Sequence, residues 1–553
     1  MLQNNPILKA LINSLWNTLW SGGIANPLTA IEQITYLLFM KRLDDMEAKR
    51  ESDAKFRGEK YVSRFSGTYI PYVDESLFQV SNKMTREEQK KIKNDLISAR
   101  KSRRKEDLRW NKFKQITPIE KMLEHVKYNV FPFIKTLNGN TSPFTKHMSN
   151  AVFIIEKPNL LSEAINKIEE IFIEIEKDAR DGGHTFQDIQ GDVYEMLLNE
   201  IAQAGKNGQF RTPRHIIKLM AELVEPQLGH KIADPACGTS GFLLGAYQYI
   251  LTDLVRKKDK KKLEKDEDGF ERGVFSAVLT EKIKKELDNS FYGFDIDVTM
   301  VRLGLMNLMM HGIDNPKIDY KDSLSKSYNE TGQYNIVLAN PPFTGKIDRD
   351  DVNTSLRIDS PSSELLFLDR ISSMLCKGGK AAVIIPEGVL FGSSNAQKQT
   401  REILLKDNRL EAVISLPSGA FKPYTGVKTA ILVFTKVKER SKTWHTEKVW
   451  FYELSSDGYS LDDNRRRLKD FPLPETKEAF DKRNKTITED RKSHFFVPIN
   501  EIQENDLDLS FNRYKEYSYS EQTYDPPKEI LAKLIKLEKE ILKGMEELNS
   551  LIG

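Results

Sequence analysis

Only two cysteines, Cys237 and Cys376, occur in the 553 residues. That excludes a disulfide scaffold and a cysteine-ligated zinc finger, and it fits a reducing compartment. Long apolar runs are also missing. No stretch reaches the ~18 residues that a membrane-spanning helix requires, and the N-terminus lacks the basic start and unbroken apolar run of a secretory signal. Charge of one sign is not in excess: Lys and Arg number 84 against 81 Asp and Glu, a net of +3. A nucleic-acid partner must therefore be met by a local basic patch or through a second protein. There is no internal repeat, no P-loop of the form GxxxxGK followed by Ser or Thr, and no metal site is expected. The expectation is a cytoplasmic protein of several domains with no part in a membrane.

Along the chain, residues 1–175 read as a helical domain. Leu28, Ile31, Ile34, Leu37 and Leu38 recur at spacings of three and four and mark one helix face. Residues 85–114 are basic, with Lys90, Lys91, Lys93, Arg100, Lys101, Arg103, Arg104 and Lys105. Such a run is a solvated helix face or a contact to a phosphate backbone. Residues 176–475 change to short apolar runs alternating with helical stretches. The runs at 231–233, 291–294, 335–339, 381–385, 412–415 and 430–434 read as strands, several apolar throughout, as strands covered on both faces are. This alternation predicts an α/β fold with a doubly wound, largely parallel, Rossmann-like sheet. A lysine-rich insertion at 256–268 reads as an exposed loop or helix extension. After 475 the sheet pattern is expected to end. In the segment 476–553, Ile530, Leu534, Leu537, Ile541, Met545, Leu548 and Ile552 form a heptad-like seam. A helix of this kind docks on a partner helix or on its own domain.

Two motifs carry chemistry. In the first, Asp234-Pro235-Ala236-Cys237-Gly238-Thr239-Ser240-Gly241-Phe242, a strand enters a glycine turn and a helix follows. Gly238 and Gly241 let the backbone approach a ligand at the carboxyl end of the strand. The turn holds no cationic side chain, which suits a ligand without phosphates. The next strand ends in Asp295, whose carboxylate can accept hydrogen bonds from both hydroxyls of a ribose. In the second motif a buried strand ends in Asn340-Pro341-Pro342-Phe343. The prolines fix φ and remove two backbone donors. The carbonyl oxygens and the Asn340 amide oxygen then form an acceptor pair for an NH2 group, and Phe343 offers a flat face for stacking.

These residues resemble adenine-N6 DNA methyltransferases, and more closely the modification subunits of type I restriction–modification systems. The likeness covers residues 150–450 and, more loosely, the N-terminal helical region. Residues 234–242 are similar to the family's S-adenosyl-L-methionine loop, with Asp234, Gly238, Thr239, Ser240 and Gly241 against the cofactor. The segment Gln209, Phe210, Arg211, Thr212, Pro213, Arg214 resembles the part that closes over the cofactor, with Arg211 where an aromatic often stands. Asp295 matches the ribose-binding acid, Asp322 a contact to the cofactor's adenine, and residues 340–343 the catalytic loop. Phe343 stands where many members have Tyr, which keeps the stack and loses a hydroxyl. Residues 302–313 and 416–430 also look like type I subunits. The resemblance implies direct methyl displacement at N6 of an adenine flipped out of double-stranded DNA, stacked between Phe343 and Phe421, with Tyr424 as the rival second ring. Cytosine-C5 methylation requires Cys after Pro; Cys237 follows Ala236, Cys376 reads as helical, and neither is assigned catalysis. It further implies a second copy of the modification subunit, a specificity subunit that reads the DNA, and a restriction subunit. Enzymes acting on protein glutamine or ribosomal RNA share such loops, and a non-catalytic assembly subunit is a further alternative.

Overall fold

The computed structural model describes residues 5–71, 85–139, 141–182, 212–273, 278–463, 465–485, 490–516 and 527–552. Helices α1 (Pro6–Ser21) and α2 (Pro27–Arg57) both start with an Asn cap and a Pro in the first turn. The Asn side chain satisfies free N–H groups, while Pro supplies helical φ where no donor is needed. On α2, Ile31, Ile34, Leu37 and Leu38 are buried, as their spacing predicts, and Leu28 is half-buried. The basic helix α3 (Arg86–Ala99) exposes Lys90 and Lys93. Helix α4 (Pro158–Gly182) runs through residue 175. The boundary expected there therefore falls inside a continuous helix, since no breaker occurs before Gly182.

Helix α5 (Arg214–Val224) leads into a nine-stranded sheet. Its strands are β1 (Ile232–Asp234), β2 (Phe291–Asp295), β3 (Lys317–Tyr320), β4 (Tyr334–Ala339), β5 (Leu375–Pro386), β6 (Asn408–Ser415), β7 (Thr429–Lys436), β8 (Lys448–Glu453) and β9 (His494–Pro498). The spatial order is β9-β8-β6-β7-β5-β4-β1-β2-β3. All but β7 and β9 run in one direction. Helices α6 (Gly241–Lys258), α7 (Val298–Met310), α8 (Ser363–Met374) and α9 (Asn395–Lys406) make the crossovers, and α10 (Pro472–Lys482) precedes β9. The expected doubly wound, largely parallel sheet is therefore present, with the six expected strands overlapping β1, β2, β4, β5, β6 and β7.

Three strands escape the pattern. β3 and β9 are the two edges of the sheet and are short, and β8 is the neighbour of β9. In β9 only Phe495 and Val497 are buried, too brief an alternation to stand out among charged neighbours. The sheet consequently does not end at 475: β9 pairs antiparallel with β8, Phe495 opposite Phe451. The lysine-rich insertion also has more order than a loop. Its lysines are exposed, but residues 263–265 pair with 271–273, and Asp266 and Asp268 hold Lys218 of α5 at 2.7 and 2.5 Å.

The N-terminal helices dock on α7 and its flanks. Arg302 of α7 donates to Glu32 at 2.7 Å and to the His147 carbonyl at 2.9 Å, while Arg50 and Arg64 reach Asp314. At the other end of the chain, α11 (Pro527–Ile552) is exposed at every residue from 527 to 548. Its seam residues Ile530, Leu534, Leu537, Ile541, Met545 and Leu548 are 44–65% accessible, so among the described residues this helix does not pack on its own domain. No helix of the described residues is long and apolar enough to cross a membrane.

Candidate active site

Strand order reverses at β1, with β2 and β3 to one side and β4 and β5 to the other. At such a switch point the loops leaving the carboxyl ends diverge and open a crevice for a ligand. Asp234 closes β1, Asp295 closes β2 and Asn340 follows β4. Both sequence motifs therefore meet at this crevice.

The glycine turn is held from several directions. Cys237 N–H donates to the Phe294 carbonyl at 2.9 Å, and Ser240 N–H to the Cys237 carbonyl at 2.7 Å. Gly238 has φ +49°, and a Cβ there would meet nothing within 4 Å, so this stretch of backbone is open to a ligand. Its N–H donates to Asp295 Oδ2 at 2.9 Å, and Asp297 N–H to Asp295 Oδ1 at 2.9 Å. Asp295 thus ties β2 to the turn, and its carboxylate, with about four acceptor sites, retains capacity for a hydroxyl. Asp322 accepts from the Leu324 N–H at 2.9 Å. The neighbouring Ser323 hydroxyl donates to the Pro235 carbonyl at 2.8 Å, and buried Arg370 donates to the Ser323 carbonyl at 2.7 Å.

Helix α7 supports the turn from below. Asn307 Nδ2 donates to the Thr239 carbonyl at 2.8 Å. Gly304 is so close that a Cβ would stand 2.5 Å from Ser240 Oγ and 3.1 Å from the Gly238 carbonyl. Sequence reasoning missed Gly304, Asn307, Ser323 and Arg370 as site residues. The available signal was a Gly and an Asn one helical turn apart in an otherwise apolar helix.

Burial sets the ionisation of the turn. Asp234 is 1% exposed, accepts from the Ala236 N–H at 3.0 Å, and is pushed up to about 8, chiefly by burial and further by Asp295. The folded state therefore binds a proton that the unfolded chain releases near the ordinary carboxylate value. This contribution to stability is full below about pH 4 and is lost as the pH rises through about 8. Asp234→Asn is accordingly expected to lose less melting temperature than the wild type between pH 6 and pH 9. Parallel pH profiles measured by calorimetry would exclude this assignment. Cys237 lies buried beside both carboxylates, and burial holds its thiol well above its usual range, so it is a neutral, inert group. Cys376 lies on β5, not in the helix expected for it, because α8 stops at Met374 and the chain turns directly into the strand.

On the β4 side of the crevice, Asn340 Nδ2 donates to Thr212 Oγ1 at 2.9 Å. Asn340 Oδ1 is buried without a hydrogen-bond partner among the described residues. Buried acceptors left unmade are costly, and this one lies at the crevice. Pro341 is buried and Pro342 exposed. Phe343 and Phe421 are 7% and 1% exposed, with ring centroids 6.0 Å apart and planes at 83°. A base sandwiched between two rings needs parallel faces about 7 Å apart. The expected Phe343–Phe421 slot is therefore not formed in this arrangement: the two apolar rings pack edge to face, which removes both from water. Tyr424, the rival ring, is half-buried in the same turn.

Of the closing segment, Gln209, Phe210 and Arg211 lie outside the described residues. Thr212 is buried beside Asn340, Pro213 caps α5 and Arg214 begins it. The next residue, His215, contacts Asp457 at 2.9 Å and stacks on Tyr459 at 4.4 Å, which anchors this end of α5. Among the described residues no group of His, Cys, Asp and Glu could hold a metal ion.

Residues 185–523 match the family model described as N-6 DNA Methylase, and residues 8–168 match the HsdM N-terminal domain. The chain is 32% identical to the type I restriction enzyme EcoEI methylase subunit of Escherichia coli, over 60% of this chain and 62% of that protein. It is 29% identical to the StySJI methylase subunit of Salmonella typhimurium, over 56% and 57%. The matched part thus spans about three fifths of the length of these curated relatives. Among solved structures, one from a type I R-M system superposes with a TM-score of 0.60 at 24% identity, covering 98% of both chains. The type I restriction-modification system methyltransferase subunit from Streptococcus thermophilus gives 0.59 at 20%, covering 92% of this chain and all of that one. At these identities the structures carry the fold.

Proposed function

Since the chain belongs to the N-6 DNA Methylase family, we propose that it methylates N6 of adenine in double-stranded DNA, using S-adenosyl-L-methionine, as the modification subunit of a cytoplasmic type I restriction–modification complex. The observation that carries this reading is the buried, unpartnered Asn340 Oδ1 at the end of β4, across the switch point from the glycine turn.

The cofactor fits the turn. Gly238 leaves its backbone open, Asp295 retains acceptor capacity for a ribose, and the turn holds no cation to demand a phosphate. Residues 234–241, Asp295, Asp322 and the segment 209–214 would hold it, apart from the Thr212 hydroxyl, which is engaged by Asn340 Nδ2. When bound, S-adenosyl-L-methionine supplies an electrophilic methyl group on a sulfonium. The chain's own task is to prepare the amine. An adenine N6 lone pair is delocalised into the ring and is a poor nucleophile. Asn340 Oδ1 and the Pro341 carbonyl accept the two N6 hydrogens, which draws the nitrogen toward tetrahedral geometry and turns its lone pair out of the ring plane. Positioning and fixed dipoles carry the catalysis, and buried Cys237 has no part in it. Reaching this depth requires the base to leave the duplex, with Phe343 as its stacking face once the edge-to-face pair with Phe421 opens. The exposed seam of α11 supports assembly with a specificity subunit, which would read the DNA. A second copy of this chain and a restriction subunit complete the complex.

The test is chemical. The chain is expressed with its candidate specificity partner in a host without adenine methylation, and nucleosides from the DNA are quantified. N6-methyladenine is expected. Its absence, with cofactor and partner shown to be bound, would reject the reading and direct the search to protein glutamine, ribosomal RNA or a scaffold role.

A further inference from the structure

We propose that Thr212 is a positioning residue for the catalytic amide: its hydroxyl is the acceptor that lets Asn340 turn Oδ1 toward the substrate amine with its own NH2 group satisfied. The proposal rests on the adenine-N6 reading above.

The resemblance implies that Thr212 belongs with the cofactor-closing segment, yet its hydroxyl engages the catalytic loop, 2.9 Å from Asn340 Nδ2. The two residues are 128 apart in the chain, and the bond is part-buried, with Thr212 7% exposed. An amide has two faces of opposite character, and a flip of half a turn would present donors where the N6 hydrogens need an acceptor. A hydroxyl both donates and accepts, so Thr212 can follow whichever orientation the substrate selects. For an amine that orientation puts Oδ1 on the substrate side and Nδ2 on Thr212. Without the hydroxyl, the productive orientation leaves a part-buried NH2 group without this partner. Pro213, the cap of α5, fixes the backbone immediately after Thr212, and the His215–Asp457 contact and the His215–Tyr459 stack hold the helix that follows. The acceptor is thus held on a braced element.

Thr212→Val keeps the shape and removes the acceptor, whereas Thr212→Ser keeps the acceptor. Both are made in the full chain and assayed in the assembly used for the wild type. Rates are normalised to the cofactor-binding stoichiometry from calorimetry, so that misfolded protein does not count. With Thr212→Val the single-turnover rate at saturating cofactor is expected to fall roughly 10- to 100-fold, the cost of a misplaced reacting partner. The dissociation constant for S-adenosyl-L-methionine should stay within about twofold, a split between rate and binding that a structural role does not produce. Thr212→Ser should recover the rate to within about threefold. A Thr212→Val rate equal to wild type overturns the proposal. So does an unchanged rate at saturating cofactor with binding weakened about tenfold, which would make Thr212 a cofactor contact alone. A wild-type assembly that forms no N6-methyladenine removes the parent reading and this one together; an active wild type with an unaffected valine variant removes this one only.

Discussion

Asn340→Ala is expected to lower the single-turnover methyl-transfer rate by about 100- to 1,000-fold, the scale for deleting one preorganised polar partner of a reacting group. The reason is geometric. Oδ1 is buried and unpartnered at the crevice, so no solvent dipole replaces it and the Pro341 carbonyl is left to engage the amine alone. Cofactor binding should be nearly unchanged, because Asn340 lies on the β4 side and the glycine turn is held by β2 and α7. Rapid-quench assays with labelled methyl donor, alongside calorimetry of the cofactor, separate the two quantities. A variant that retains a tenth or more of the wild-type rate would remove Asn340 from the chemistry.

Gly304→Val is expected to act on the other half of the site. Even a single Cβ at 304 would stand 2.5 Å from Ser240 Oγ and 3.1 Å from the Gly238 carbonyl. Ser240 is fully buried and already in the left-handed region at φ +63°, and the Gly238 carbonyl is backbone, so neither yields easily. Overpacking of this kind costs about 1–3 kcal/mol. The turn must shift to relieve it, and the expected result is cofactor affinity weaker by roughly 5- to 150-fold, the range that cost converts to. Gly304→Ala should lie between this variant and the wild type. Because α7 also carries the N-terminal docking residue Arg302, circular dichroism and melting must accompany the binding measurement. A folded Gly304→Val protein with wild-type cofactor affinity would show that α7 does not set the turn.

Much of this architecture is legible in the sequence. The glycine turn, Asp295 and the residues 340–343 each announce themselves within a short stretch, because a strand that ends in glycine, acid or Asn-Pro-Pro has few uses other than a ligand loop. The central strands were evident for the same local reason: a strand covered on both faces must be apolar throughout. Edge and near-edge strands answer to no such rule, and β3, β8 and β9 were missed. Helix ends were also uncertain locally, as α4 running through residue 175 and Cys376 falling on β5 both show.

What the sequence by itself determined was the fold class, the glycine turn at 234–242, the Asn-Pro-Pro-Phe loop at 340–343 and the amphipathic character of α11, since each is a property of consecutive or helically spaced residues. Only the tertiary structure decided how the halves engage. Thr212 bonds to Asn340 across 128 residues, Gly304 admits the glycine turn by lacking a side chain, Phe343 meets Phe421 edge to face, and Asp234 is buried deeply enough to be pushed up to about 8. Each of these depends on which distant surface occupies a given volume. Packing and desolvation are set by neighbours in space, and no local pattern along the chain encodes them.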